Sequence, residues 1–167
     1  MALSLGFLVL LIVLAVCGYY AGSVVTLHNR INKMKNKVSA KTKRYSDLCA
    51  RFADSIKLEL RTEKDAIEIL VKTRDKINKT TDVNEQLKII NYIKPHAHKL
   101  TSVAKIVKKL ETAAKQFEIQ IEEAEQTLNY NISSHNKAVE RFNNLISTTP
   151  GNWFAKLLGK KEQIGYF

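Results

Sequence analysis

Residues that break helices are scarce in this sequence. Its 167 residues include only two prolines, Pro95 and Pro150, and no glycine lies between Gly22 and Gly151. Chain reversals draw heavily on those two residue types, so their shortage favours long uninterrupted helices. Cysteine is also sparse. Cys17 falls in an apolar run and Cys49 in a helical stripe, which gives no disulfide framework and fits a reducing compartment. There is no G-x-S-x-G elbow, phosphate-binding glycine loop, dinucleotide fingerprint or zinc-finger spacing. An enzyme is therefore not expected, and neither a cofactor nor a metal site is called for.

Charge is missing from the start of the chain. From Ala2 to Val25 no side chain is charged, a run longer than the ~20 apolar residues that carry a helix across a bilayer. The remaining chain is too polar to wrap such a segment as a core helix. Residues 1–26 are read as a transmembrane anchor. A cleaved export signal is disfavoured because no Lys or Arg precedes the run and no A-x-A-like site closes it. Leu14-Ala15-Val16-Cys17 resembles a lipoprotein box, but Val16 is large where such sites take a small residue. An exported lipoprotein acting at the envelope surface is the alternative reading.

Acidic residues are absent until Asp47, whereas Arg30, Lys33, Lys35, Lys37, Lys41, Lys43 and Arg44 follow the run. Basic flanks stay on the cytoplasmic side, so the N-terminus is expected outside and the rest of the chain in the cytoplasm. Arg30, Lys33, Lys35 and Lys37 are assigned to the membrane surface, where anionic headgroups attract each by about 1 kcal/mol. That placement accounts for much of the net charge of +11 without invoking nucleic acid, whose basic footprint would otherwise be considered.

The periodicity is helical. Leu27, Ile31, Met34, Val38, Tyr45, Cys49, Phe52, Ile56, Ile67, Leu70 and Ile77 recur mostly at steps of three or four, predicting one helix that continues from the membrane, from about Leu27 to Ile77. Its weak layers are Lys41/Thr42 and Glu59/Glu63. A short helix is expected from Val83, with Thr80-Thr81-Asp82 as its cap and Lys94-Pro95 as its end. A second long helix, with heptad-like, coiled-coil spacing, is expected from Leu100 to Ile146, stopped by Thr148-Thr149-Pro150-Gly151-Asn152. The fold class is thus all-α: a transmembrane helix continuing into a long antiparallel helical hairpin or bundle over 27–149, then an amphipathic tail over 150–167. Legs of equal length would bring Pro150 back to the membrane, where Trp153, Phe154 and Lys156 have interfacial character. Capping of the bundle end is the other reading of that tail.

Glu125, His135-Asn136-Lys137-Ala138-Val139, Phe142-Asn143, Ile146, Pro150, Ala155, Gly159 and Phe167 together resemble the E…YN-x-x-V-x-x-YN-x-x-I-x-x-F-P…A…G…F pattern of the LemA family of bacterial membrane proteins. Asn29-Arg30-Ile31, Lys43-Arg44-Tyr45-Ser46-Asp47-Leu48, Glu63-Lys64 and Arg74 are similar to its N-terminal half. His135 and Thr149 depart from Tyr and Phe, and Cys49-Ala50 replaces Ile-Pro, removing any kink a proline would impose. The resemblance implies antiparallel helices behind a membrane anchor in the bacterial cytoplasmic membrane, and implies no biochemical activity.

Chemistry-bearing residues have plainer readings. His96 and His98 are expected as loop histidines and His135 as a core histidine. Glu118, Glu122, Glu123 and Glu125 are expected on a solvated face or paired with the basic first helix, since the Glu-x-x-His of di-metal bundles is missing. Asparagine is dense along the last helix although it is a mediocre helix former. Asn at a seam can fix register or oligomer state, so Asn136, Val139, Phe142 and Asn143 are assigned to assembly. The expected function is a membrane-anchored structural or assembly protein. Its partners would be the lipid bilayer and copies of itself or another protein.

Overall fold

A computed structural model describes residues 2–167, with side chains from Gly6 onward; Met1 and the side chains of residues 2–5 of the expected span lie outside it. Five α-helices follow one another: α1 Ala2–Ile56, α2 Lys64–Lys79, α3 Val83–Ile106, α4 Glu111–Ser147 and α5 Gly151–Leu157, with a 3₁₀ turn at Arg61–Glu63. No strand occurs among the described residues. The chain divides into two compact units, Met1–Met34 with Ser133–Phe167, and Lys35–Ile132.

The unit Lys35–Ile132 is a four-helix bundle, and its core draws on every helix in it. Tyr45, Cys49 and Ile56 of α1, Leu70 and Ile77 of α2, Ile90, Ile93 and Leu100 of α3, and Ala114, Ile121 and Leu128 of α4 are all buried. Phe52 stacks on Phe117 with ring centroids 3.9 Å apart, fixing α1 against α4. The polar layer at Lys41/Thr42 is resolved by hydrogen bonding, which buried polar groups require. Thr42 Oγ1 lies 2.9 Å from Gln86 Oε1 and 2.7 Å from the Ser39 carbonyl, while Gln86 Nε2 donates to the Thr80 carbonyl at 2.6 Å. One buried glutamine thereby joins α1, α3 and the end of α2.

Three expected helix boundaries are corrected. The single helix expected to reach about Ile77 stops at Ile56, although neither Gly nor Pro marks the place. Its polar layer Glu59/Glu63 falls in the ensuing turn, where Glu59 accepts from Lys109 at 2.5 Å and Glu63 from Lys99 at 2.7 Å. A straight helix would instead have carried those carboxylates along the stripe that faces the core. The short helix does not end at Pro95: α3 runs through it to Ile106. An interior proline costs about 3 kcal/mol, which is offset because the stripe Ile93, Ala97, Leu100 and Ala104 stays buried across it. The last long helix begins at Glu111 rather than Leu100, after a reversal at Val107–Leu110 that leaves Ile106 85% exposed. Equal hairpin legs are therefore not the architecture.

The unit Met1–Met34 with Ser133–Phe167 has a smaller core. Val24 and Ile31 of α1 meet Ala138, Val139, Phe142 and Ile146 of α4 and Ala155 of α5, with Leu27, Leu145, Phe154 and Ile164 at its margin. The Thr149-Pro150 peptide is cis. Gly151 opens α5 because nothing larger fits: a Cβ there would lie 2.1 Å from the Leu145 carbonyl oxygen. Gly159, at φ +66, closes α5 in the left-handed conformation that glycine tolerates, and Lys160 N–H donates back to the Ala155 carbonyl at 2.8 Å. Beyond it the chain runs to Phe167 without helix or strand, bending at Glu162.

Candidate functional site

The apolar stretch at the head of α1 is almost entirely unburied. Phe7, Leu8, Val9, Leu10, Ile12 and Leu14 are each at least half exposed. A helix this long and apolar can cross a bilayer, and a contiguous exposed apolar surface of this kind marks a contact with membrane or protein.

α5 lies against the end of that stretch. Phe154 stacks on Tyr20 with ring centroids 6.2 Å apart and planes 11° from parallel. Gly151 and Ala155 are buried on the inner side, whereas Trp153 and Leu157, four residues apart on one helical face, are 68% and 82% exposed. Lys156 points to solvent beside them, and Tyr19 is 69% exposed on α1. An indole and a leucine presented outward next to a lysine, on a unit that also carries the apolar stretch, have the composition of an interfacial segment. Of the basic residues assigned to the membrane surface, Arg30 and Lys33 are exposed in this unit. Lys35 and Lys37 are exposed in the bundle unit. None of these four makes an ion pair among the described residues.

The residues assigned to assembly are engaged within this same unit. Val139 and Phe142 are buried in its core, and the ring of His28 approaches Phe142 at 5.8 Å. Asn136 and Asn143 bind the extended tail. Asn143 Nδ2 donates to the Ile164 carbonyl at 2.9 Å and its Oδ1 accepts from Ile164 N–H at 3.0 Å. Asn136 repeats the pattern on Phe167, at 3.1 and 3.0 Å. The ring of Phe167 stacks on buried His135 at 4.0 Å. The sequence singled out these asparagines but not their ligand. The available signal was a spacing match: seven helical residues rise roughly 10.5 Å and three extended ones roughly 10 Å.

In the bundle unit, α1 and α4 border an open groove of about 660 Å³ lined by Lys41, Arg44 and Arg51 on one side and Gln116, Gln120 and Glu123 on the other. The stacked Phe52 and Phe117 also line it. The lining is mostly charged and polar, because Phe52 and Phe117 are themselves buried in their stack. Nothing in the sequence marked it.

Titratable residues here have structural partners. Glu125 accepts from the Tyr45 hydroxyl at 2.9 Å, with His98 Nε2 at 3.3 Å and Lys94 Nζ at 3.9 Å. Glu118 pairs with Lys105 at 2.5 Å. Glu122 and Glu123 are exposed, as a solvated face requires, whereas Glu118 and Glu125 meet lysines of α3 rather than of the basic first helix, a consequence of the reversal after Ile106. His96 and His98 lie on α3 rather than in a loop, and His96 packs edgewise on Tyr92. No cluster of three or more His, Cys, Asp or Glu able to hold a metal exists among the described residues.

Compared with known proteins, residues 21–167 match the model of the LemA family. No curated protein matches the chain, and no solved structure does.

Proposed function

The chain belongs to the LemA family, and from that premise we propose that it is a membrane-anchored structural protein that self-associates or scaffolds partners at the cytoplasmic face of the bacterial inner membrane. The observation that carries this reading is the pairing of Phe154 with Tyr20, which sets the exposed Trp153 and Leu157 beside the apolar stretch. The unit then engages lipid twice, through a spanning helix and through an interfacial one. Two membrane signals hold a protein far more firmly than one. The basic flank after the stretch supports an N-terminus outside and a cytoplasmic bundle. The open groove between α1 and α4 is the surface that this reading offers to a partner.

Crosslinking in native membranes tests the assembly role. A ladder of copies, or one recurrent partner, is expected; monomer at every crosslinker dose would overturn it. The anchor is tested separately by intact mass. Loss of the first sixteen residues with acyl mass gained on Cys17 would instead establish the exported lipoprotein.

A further inference from the structure

Asn136 and Asn143 form a two-rung ladder on one face of α4. Each rung offers a carboxamide acceptor and donor to the N–H and carbonyl of one residue of the extended segment, Phe167 and Ile164 respectively. The rungs read main-chain groups, and their separation along the helix equals that of every third residue of an extended chain, roughly 10 Å. Side-chain selection comes from two places only: Ile164 packs against the core around Phe142 and Ile146, and the Phe167 ring covers His135. This is how strand-recognition sites work, with backbone hydrogen bonds giving affinity and alternate pockets giving specificity.

The segment's tether is solvent-exposed. Lys161, Glu162 and Gln163 are exposed, in no regular structure, and make no hydrogen bond among the described residues. The left-handed Gly159 precedes them. The ladder cannot tell from which copy the strand arrives, because every contact is the same in either case. Exchange of identical segments thus conserves contact energy, which is why swapping a segment between copies is a low-cost route to association.

We propose that this face of α4 is a strand-docking site whose ligand in the assembled protein is the Ile164–Phe167 segment of a second copy. The proposal rests on the self-association reading and gives it a mechanism. It is tested by complementation between two differently tagged full-length copies coexpressed in membranes. One carries N136L/N143L, which removes the rungs at constant size and leaves the strand. The other carries I164P/F167P, which removes the two N–H donors and leaves the rungs.

The expected result is that the first copy retrieves the second well above the level given when the first copy also carries the proline pair. A second arm leaves ladder and strand intact. One copy bears E140C, on the exposed turn between the rungs, and the other G165C, both with C17S; oxidation should link the two tags. Retrieval at the control level together with no linked product overturns strand exchange. Wild-type copies are retrieved in parallel. If they associate while both arms fail, another surface assembles the protein; if they do not associate either, the self-association reading falls with the exchange.

Discussion

Phe154 lies flat against Tyr20, its ring 6.2 Å away and 11° from parallel, and this contact fixes the depth of α5 relative to the apolar stretch of α1. Because Phe154 faces inward, its neighbours Trp153 and Leu157 face outward. The outward exposure of Trp153 and Leu157 is therefore a packing consequence as well as a matter of composition.

Trp153 is the sole tryptophan, so its fluorescence reports this surface alone. In vesicles containing anionic lipid and a shallow lipid-attached quencher, strong quenching is expected, reduced by K156E/K160E/K161E. Emission indifferent to the quencher would place α5 away from the bilayer.

Gly151→Ala should displace α5. The new methyl would sit 2.1 Å from the Leu145 carbonyl oxygen, an overlap that backbone movement must relieve at about 1–3 kcal/mol. A lower melting temperature and weaker Trp153 quenching are expected together. Alanine tolerated with both readouts unchanged would show that the close approach does not exist.

Tyr45→Phe removes a hydroxyl that donates to Glu125 at 2.9 Å from a fully buried ring. Hydrogen bonds to charged groups contribute about 1.5–3 kcal/mol. A loss of that order is expected in chemical denaturation of the detergent-solubilised protein, and it should shrink when Glu125 is already Gln. Full additivity of the two substitutions would show that the pair is not coupled.

Pro95→Ala should stabilise. Pro95 is exposed in the interior of α3, where an alanine restores a backbone donor and relieves the ring's clash with the preceding turn, an effect of up to about 3 kcal/mol. Thermal unfolding monitored at 222 nm should shift upward. A downward shift would mean that the ring contributes a packing role that exposure does not suggest.

Much of this protein is local and therefore legible. Helicity follows from the shortage of Gly and Pro, the apolar stretch from an unbroken run without charge, and the core stripes from steps of three and four that recur as buried Tyr45, Cys49, Ile56, Ile121 and Leu128. The interfacial composition around Trp153 is local in the same way. Helix ends without a breaker residue are not local. α1 stops at Ile56 and α3 at Ile106 because the following stripes are buried only if the chain reverses, while α3 passes through Pro95 because the stripe on both sides of it is already covered. The asparagines show the same division. Their density marked Asn136 and Asn143 as unusual for a helix, but a carboxamide takes any backbone partner of the right geometry. Only the tertiary structure decided that the partners are Ile164 and Phe167, because only there do seven helical residues and three extended ones come to lie side by side with matching rise.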